Sequence, residues 1–192
     1  MKVTKLFLLS TLSAAFSFAG TIIYDANLNG PSESPPNASP ATGFAIVTFD
    51  DIANTMRVQV NFSGLLGTTT ASHIHCCTAL PFTGTANVAT QTPSFAGFPL
   101  GVTSGSYDHT FDMTLTSTYN APFVTASGGT AAGAEAALIA NAAAGLEYLN
   151  VHSTVDPGGE IRGFLVAVPE PGTWVLAIAG LGLTWAAKRK LA

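Results

Sequence analysis

The stretch Thr55–Ser63 reads TMRVQVNFS and alternates between polar and apolar side chains along its whole length. Its apolar members are Met56, Val58, Val60 and Phe62. Successive side chains of a β-strand point to opposite faces of the sheet, so the alternation collects these four on one face. The stretch therefore predicts a half-buried strand with one face in a hydrophobic core and the other in water.

Similar β-strand patterns recur on both sides of this stretch. β-branched, aromatic and alternating residues predict further strands, and the last two flank the turn sequence Asp156-Pro157-Gly158-Gly159, which predicts a hairpin. These strands are expected at residues 21–29, 43–49, 107–115, 148–153 and 161–166.

One segment departs from the strand pattern. Residues 130–144 are rich in alanine, with Thr130 suited to cap the start of a helix and Gly145 suited to end it. Residues 30–40 and 84–105 are rich in proline, glycine and threonine and predict loops. The sequence therefore predicts an all-β domain, an antiparallel Greek-key sandwich with one short crossover helix.

Charge is sparse and unevenly placed in this chain of 192 residues. Between the two apolar ends, Arg57 and Arg162 are the only basic residues against ten acidic ones, a balance of about −8. A domain so poor in lysine and arginine lacks the positive surface that nucleic acids require, which excludes that class of partner. No Gly-x-Ser-x-Gly motif and no paired carboxylates occur, so we expect that the protein is not an enzyme.

The N-terminus has the three parts of a secretory signal. Lys2 and Lys5 are followed by an apolar run and then by small residues. The run from Leu6 to Ala19 has 14 residues, fewer than the roughly 20 that a transmembrane helix needs. We therefore predict a signal peptide over residues 1–19, cleaved after Ala19.

The C-terminus predicts a short membrane helix. Residues 173–187 carry no charge, and Trp174 and Trp185 lie near the two ends of this run, as interfacial aromatic residues do. A basic cluster that marks a cytoplasmic end follows, formed by Lys188, Arg189 and Lys190. Both ends of the chain would then face the cytoplasm, with the domain between them on the outside.

Three of the four histidines lie in two short segments, residues 72–77 and 150–152, and suggest a metal site if these segments are strands. His73 and His75 point to one side of a strand about 7 Å apart. If the strands pair, Asn150 and His152 face that side too, and three imidazoles suit copper or zinc. The alternative is a hydrogen-bonded polar layer beneath the loops, with no metal. His109, which shares a predicted face with aromatic residues, is expected at the rim or in the core.

The two cysteines are adjacent, so they cannot staple distant parts of the chain. Cys76 is a further, weaker candidate metal ligand beside the histidines. A strained disulfide between Cys76 and Cys77 is the second reading, because an exported domain meets oxidising conditions, and simple surface thiols are the third.

The C-terminal segment resembles a known sorting signal. Val168-Pro169-Glu170-Pro171-Gly172, the apolar run and the basic tail are similar to the PEP-CTERM signal of Gram-negative bacteria. The resemblance covers residues 168–192. It implies recognition of Pro169, Glu170 and Pro171 by an exosortase-type membrane enzyme, then cleavage and transfer to the cell surface. Such signals tend to accompany exopolysaccharide production.

The domain itself, residues 20–167, resembles the CHRD domain, first described as repeats in chordin. The resemblance spans about Tyr24 to Leu165 and implies an immunoglobulin-like or superoxide-dismutase-like sandwich. Cys76-Cys77 departs from it, because glycine is commoner after the histidine pair. The growth-factor binding of chordin is not carried over. The residues that carry the resemblance are Ala41-Thr42-Gly43, Gly64-Leu65, Ser72-His73-Ile74-His75, Tyr148-Leu149-Asn150-Val151-His152 and Pro157-Gly158-Gly159-Glu160-Ile161-Arg162-Gly163.

These observations favour a structural or binding module of the cell surface or extracellular matrix. Its expected partners are the membrane, through the C-terminal helix before processing, the exosortase-type enzyme, and exopolysaccharide or another surface protein. The protein is expected to be anchored in the inner membrane with its domain outside the cytoplasm before it reaches the surface. The rival hypothesis is a metal-binding surface domain, because His73 and His75 match positions in the copper-binding strand of Cu/Zn superoxide dismutases.

Overall fold

Eight antiparallel β-strands form one curled sheet in the computed structural model, which describes residues 20–169. The strand order is β4-β6-β7-β1-β2-β3-β5, and β8 pairs with β1. The strands are β1 (Thr21–Asn29), β2 (Thr42–Asp50), β3 (Thr55–Ser63), β4 (Thr69–Cys76), β5 (Gly105–Asp112), β6 (Glu147–Ser153), β7 (Ile161–Phe164) and β8 (Val166–Ala167). The helices are α1 (Ala121–Ala126) and α2 (Ala131–Ala143), with short 3₁₀ turns at Gly30–Ser32 and Thr116–Thr118.

The alternation in β3 works as the sequence predicts. Met56, Val58 and Val60 are fully buried and Phe62 nearly so, while the polar residues between them are at least partly exposed. β1, β2 and β3 form a meander in which β2 pairs in full register with both neighbours. Asp50 closes the turn between β2 and β3, because its Oδ1 accepts hydrogen bonds from two backbone N–H groups of that turn. Pattern and turn chemistry thus agree in this half of the sheet.

The prediction of an all-β antiparallel domain with few helices is confirmed. Seven of the described strands hydrogen-bond along one path, β8 pairs with β1 beside it, and the sheet curls into a half-barrel. The Greek-key sandwich stays a prediction. The signal peptide with its cleavage site at Ala19, the C-terminal helix, Glu170, Pro171 and the basic tail lie outside the described residues.

The predicted helix is confirmed as α2. The Thr130 side chain caps it by accepting a hydrogen bond from the Gly133 N–H at 3.0 Å. Gly145 follows its end with φ +71°, a conformation that costs glycine little. Leu138 packs from α2 into the core. The short helix α1 was not predicted.

The outer edge of β4 is covered by the long loop that precedes β5. The N–H of Cys76 donates to the carbonyl of Asn87, the N–H of Ala89 to that of Ile74, and the N–H of Phe95 to that of Ser72, each at 2.9 Å. The loop therefore buries β4 from its edge, and every residue of the neighbouring β6 is buried as well. Within residues 20–169, no helix has the length and apolar character that crossing a membrane requires.

Candidate metal centre

Pairing of β4 with β6 brings three histidines together on one face of the sheet. His73 lies opposite Asn150, and Ala71 lies opposite His152. The ring centroids are 4.7 Å apart for His73 and His75, and 4.6 Å apart for His73 and His152. One ring nitrogen from each histidine lies within 4.8 Å of the corresponding nitrogens of the other two. The expected convergence of the three imidazoles is therefore present.

Each ring has one buried nitrogen without a hydrogen-bond partner. The Nδ1 atom of His75 is 2.8 Å from the Ala86 carbonyl oxygen, and that of His152 is 2.9 Å from the Pro157 carbonyl oxygen. A carbonyl only accepts, so Nδ1 carries the proton in both rings and Nε2 keeps its lone pair. The buried Nε2 atoms of His75 and His152, and the buried Nδ1 of His73, have no hydrogen-bond partner.

The cluster is electrically neutral at neutral pH. Burial lowers the pKa of His73 to about 3, helped by repulsion from His152 and His75 and opposed by a backbone hydrogen bond to Pro93. Burial also lowers the pKa of His75 to about 4, although its bond to Ala86 works in the opposite direction. The pKa of His152 is lowered mainly by burial too. The three rings therefore offer lone pairs rather than positive charge, which is the state that binds metal ions.

The comparisons with known proteins place this arrangement in a family. A family model for the CHRD domain matches residues 24–165, which include every strand from β2 to β7 and most of β1. The chain belongs to the CHRD domain family. A second model, the PEP-CTERM protein-sorting motif, matches residues 167–190. No curated protein and no solved structure matches the chain. The CHRD domain with this motif indicates an exported protein that an exosortase-type enzyme sorts at the membrane.

Cys76, His109 and Pro169 lie outside the histidine cluster. Cys76 is on the opposite face of β4, where it pairs with Glu147 across the strands and forms a disulfide with Cys77. The group of close nitrogens consists of the three histidines without it. His109 is exposed, but it lies on the same face of β5 as Tyr107 and Phe111, with ring centroids 6.1 Å and 4.6 Å from theirs. Pro169 is exposed at the end of the described chain.

An aromatic and cationic layer that the sequence analysis missed lies against the cluster on the side of His75. The Tyr148 ring stacks on His75 with centroids 4.7 Å apart, and the Arg162 guanidinium lies 4.6 Å above Tyr148. Arg162 donates hydrogen bonds to the carbonyls of Ser32 and Gly84. Tyr148, Asn150 and His152 are spaced two residues apart along β6 and so share a face, and this spacing was a signal for the layer. Nothing local indicated which loops would meet Arg162, because those contacts join residues 78 to 130 positions apart.

The residues present fit a transition-metal ion. Neutral imidazole is a good ligand for copper and zinc, and metal-bound histidines usually donate their other ring N–H to a carbonyl or carboxylate, as His75 and His152 do here. Those carbonyl contacts fix the tautomer and the ring orientation before any ion arrives. His73, His75 and His152 of this CHRD domain would hold the ion, and a fourth position would fall to a water or an external ligand.

Proposed function

We propose that this CHRD protein is an exported surface module that binds a copper or zinc ion through His73, His75 and His152. Two observations carry the proposal: each of the three buried histidines offers a ring nitrogen within 4.8 Å of those of the other two, and each ring has a buried nitrogen without a hydrogen-bond partner. No catalytic role is assigned to the domain. Its position at the cell surface or in the extracellular matrix, after anchoring in the inner membrane, is part of the same proposal and is supported by the sorting motif.

The unpaired nitrogens favour a metal site over a purely structural polar layer. A structural layer gains stability by giving each buried polar atom a partner, and each missing partner costs about 1–3 kcal/mol. The Nδ1 atoms of His75 and His152 follow this rule, whereas the Nε2 atoms of the same two rings have no partner. A metal ion bound between the three rings would satisfy the lone pairs of these unpartnered nitrogens together.

The metal proposal is tested with the full-length chain purified in mild detergent. After dialysis against copper or zinc, the bound metal is measured by mass spectrometry. We expect about one ion per chain in the wild type, and at least tenfold less in a variant with His73→Ala and His75→Ala, because two of three ligands are lost. His109→Ala is the matched control, since it removes an exposed histidine of β5.

Two outcomes would overturn the metal proposal. One is a wild-type protein that stays metal-free with unchanged thermal stability in the presence of either ion. The other is equal metal content in the wild type and the double variant, which would place the ion elsewhere.

The sorting proposal is tested by fractionation of cells with an antibody to the domain. Replacement of Pro169 and Glu170 by alanine should leave the protein uncleaved in the inner membrane, because the motif that the enzyme reads is gone. Val168→Ala changes a neighbouring residue outside that triplet and serves as the control. An unchanged distribution of the double variant between membrane and surface fractions would contradict the assignment.

A further inference from the structure

A polar pocket lies beside the histidine cluster. It has a volume of about 190 Å³ and is lined by the loop after β1 and by the turn between β6 and β7, including Glu33, Asn37, Asp156 and Gly159. The side-chain amide of Asn37 ties the two segments together, because it donates to the carbonyls of Gly159 and Glu160. The pocket is therefore built by two parts of the chain more than 100 residues apart.

Two buried oxygens without partners lie next to Gly159, a residue of the pocket wall. Glu33 Oε1 and Asn150 Oδ1 are both buried and have no hydrogen-bond partner. They lie 2.7 Å and 2.6 Å from the point where a side chain on Gly159 would begin, and the amide nitrogen of Asn150 lies beside them. Gly159 has φ +134°, so glycine both allows this backbone and leaves the space free. Both oxygens are acceptors, and an acceptor pair requires a cation or a donor between them.

The charge around the pocket is negative on balance. The second oxygen of Glu33 lies 3.7 Å from the Arg162 Nε, and Asp156 adds another carboxylate to the lining. When Glu33 is ionised, the side chains of Glu33, Asp156 and Arg162 sum to one negative charge. Burial raises the pKa of Glu33 to about 7 even though Arg162 lowers it, so Arg162 compensates the buried carboxylate only in part. A bound cation would supply the missing compensation.

We propose that this pocket is a calcium site in which Glu33 Oε1 and Asn150 Oδ1 are ligands and Asp156 contributes the second carboxylate. Calcium takes six to eight oxygen ligands in irregular geometry and accepts carboxylate, amide and water oxygens together. Magnesium demands a regular octahedron and holds its water tightly, which an open pocket of mixed oxygens does not match. The site is distinct from the histidine cluster, which offers nitrogen ligands to a softer ion.

Calcium at this position would join the loop after β1 to the turn between β6 and β7. Extracellular modules bind calcium with dissociation constants of about 10⁻⁴–10⁻³ M, and we expect the same range here. At about ten times the dissociation constant, the ion should raise the melting temperature by about 3 °C, because it binds the folded chain alone.

The experiment measures thermal unfolding of the full-length chain in detergent with EDTA, calcium or magnesium. We expect the rise with calcium in the wild type, little change with magnesium, and at least tenfold weaker calcium binding in Glu33→Gln. Glu135→Gln is the matched control, since it neutralises a mostly buried glutamate on α2. His73→Ala should keep the calcium effect, which separates this proposal from the transition-metal site.

Each remaining outcome decides against the calcium site. A wild-type protein whose melting temperature does not respond to calcium up to about 20 mM, well above the expected range of dissociation constants, overturns the proposal. So does an equal response in Glu33→Gln, or an equal response to magnesium. If Glu33→Gln fails to fold, equilibrium dialysis of the wild type with radioactive calcium must still give one ion per chain, and a lower value refutes the site.

Discussion

Acid should destabilise the metal-free domain through the histidine cluster, and the size of the effect follows from the shifted pKa values. The ordinary pKa of histidine is 6.5, whereas the pKa of folded His73 is lowered to about 3. Between these values the unfolded chain binds a proton that the folded chain does not, so the free energy of unfolding falls as the pH falls below 6.5. At pH 5, about 1.5 units below the unfolded value, His73 should cost about 2 kcal/mol.

Glu33 has the opposite sign and must be separated from the histidines. Its pKa is raised to about 7 from 4.5, so the folded chain holds the extra proton between these values and gains stability as the pH falls. A single pH curve therefore mixes the two effects. Comparing the wild type with a His73 variant at two pH values isolates His73, because Glu33 contributes equally in the two proteins.

The assay is urea unfolding of the full-length chain in EDTA, followed by circular dichroism at pH 7.5 and pH 5. The wild type should lose about 2 kcal/mol more than His73→Gln between the two pH values, since the variant lacks the titrating ring. His109→Gln should behave as the wild type, because His109 is exposed. Equal losses in the wild type and His73→Gln would show that the buried ring is not held neutral, and the reasoning would fail.

Two further substitutions test contacts that hold the domain together. Glu160→Gln should lower the free energy of unfolding, measured by urea titration, by about 2–3 kcal/mol. The reason is that the carboxylate accepts hydrogen bonds from Ser39 and from two backbone N–H groups. A loss below about 0.5 kcal/mol would contradict this expectation. Gly145→Ala should lower the melting temperature clearly more than Gly128→Ala, because both have positive φ but the new methyl group at residue 145 would lie only 2.5 Å from the Phe82 ring. Equal shifts would mean that the ring moves aside without cost.

The sequence predicts most of the strands because their information is local. Side chains alternate with a period of two, so the apolar set of β3 and the shared face of His73 and His75 can be read without knowing any partner strand. The same holds for α2, whose capping threonine and terminal glycine lie within its own segment. The curl of the sheet and the strand order depend on contacts between distant segments, which no short pattern records.

The candidate site likewise has features that follow from local sequence and features that depend on distant contacts. Its histidines were recognised from their spacing, and the structure adds how they meet, because the register of β4 against β6 decides which residues lie opposite. Tyr148 of β6 and Arg162 of β7 were missed as neighbours of the cluster, and so was Glu33, which a loop distant in the chain brings to Arg162. Cys76 follows His75 directly, yet the same period of two sends its side chain to the other face.

The loop hydrogen-bonded along the outer edge of β4 also affects how neighbouring molecules behave. An edge strand with free N–H and C=O groups is a template on which another chain can add a strand, which leads to aggregation. Here Ser72, Ile74 and Cys76 already bond to the molecule's own loop. Copies crowded side by side would therefore find no free template at this edge, and the domain can reach high local concentration without polymerising through it.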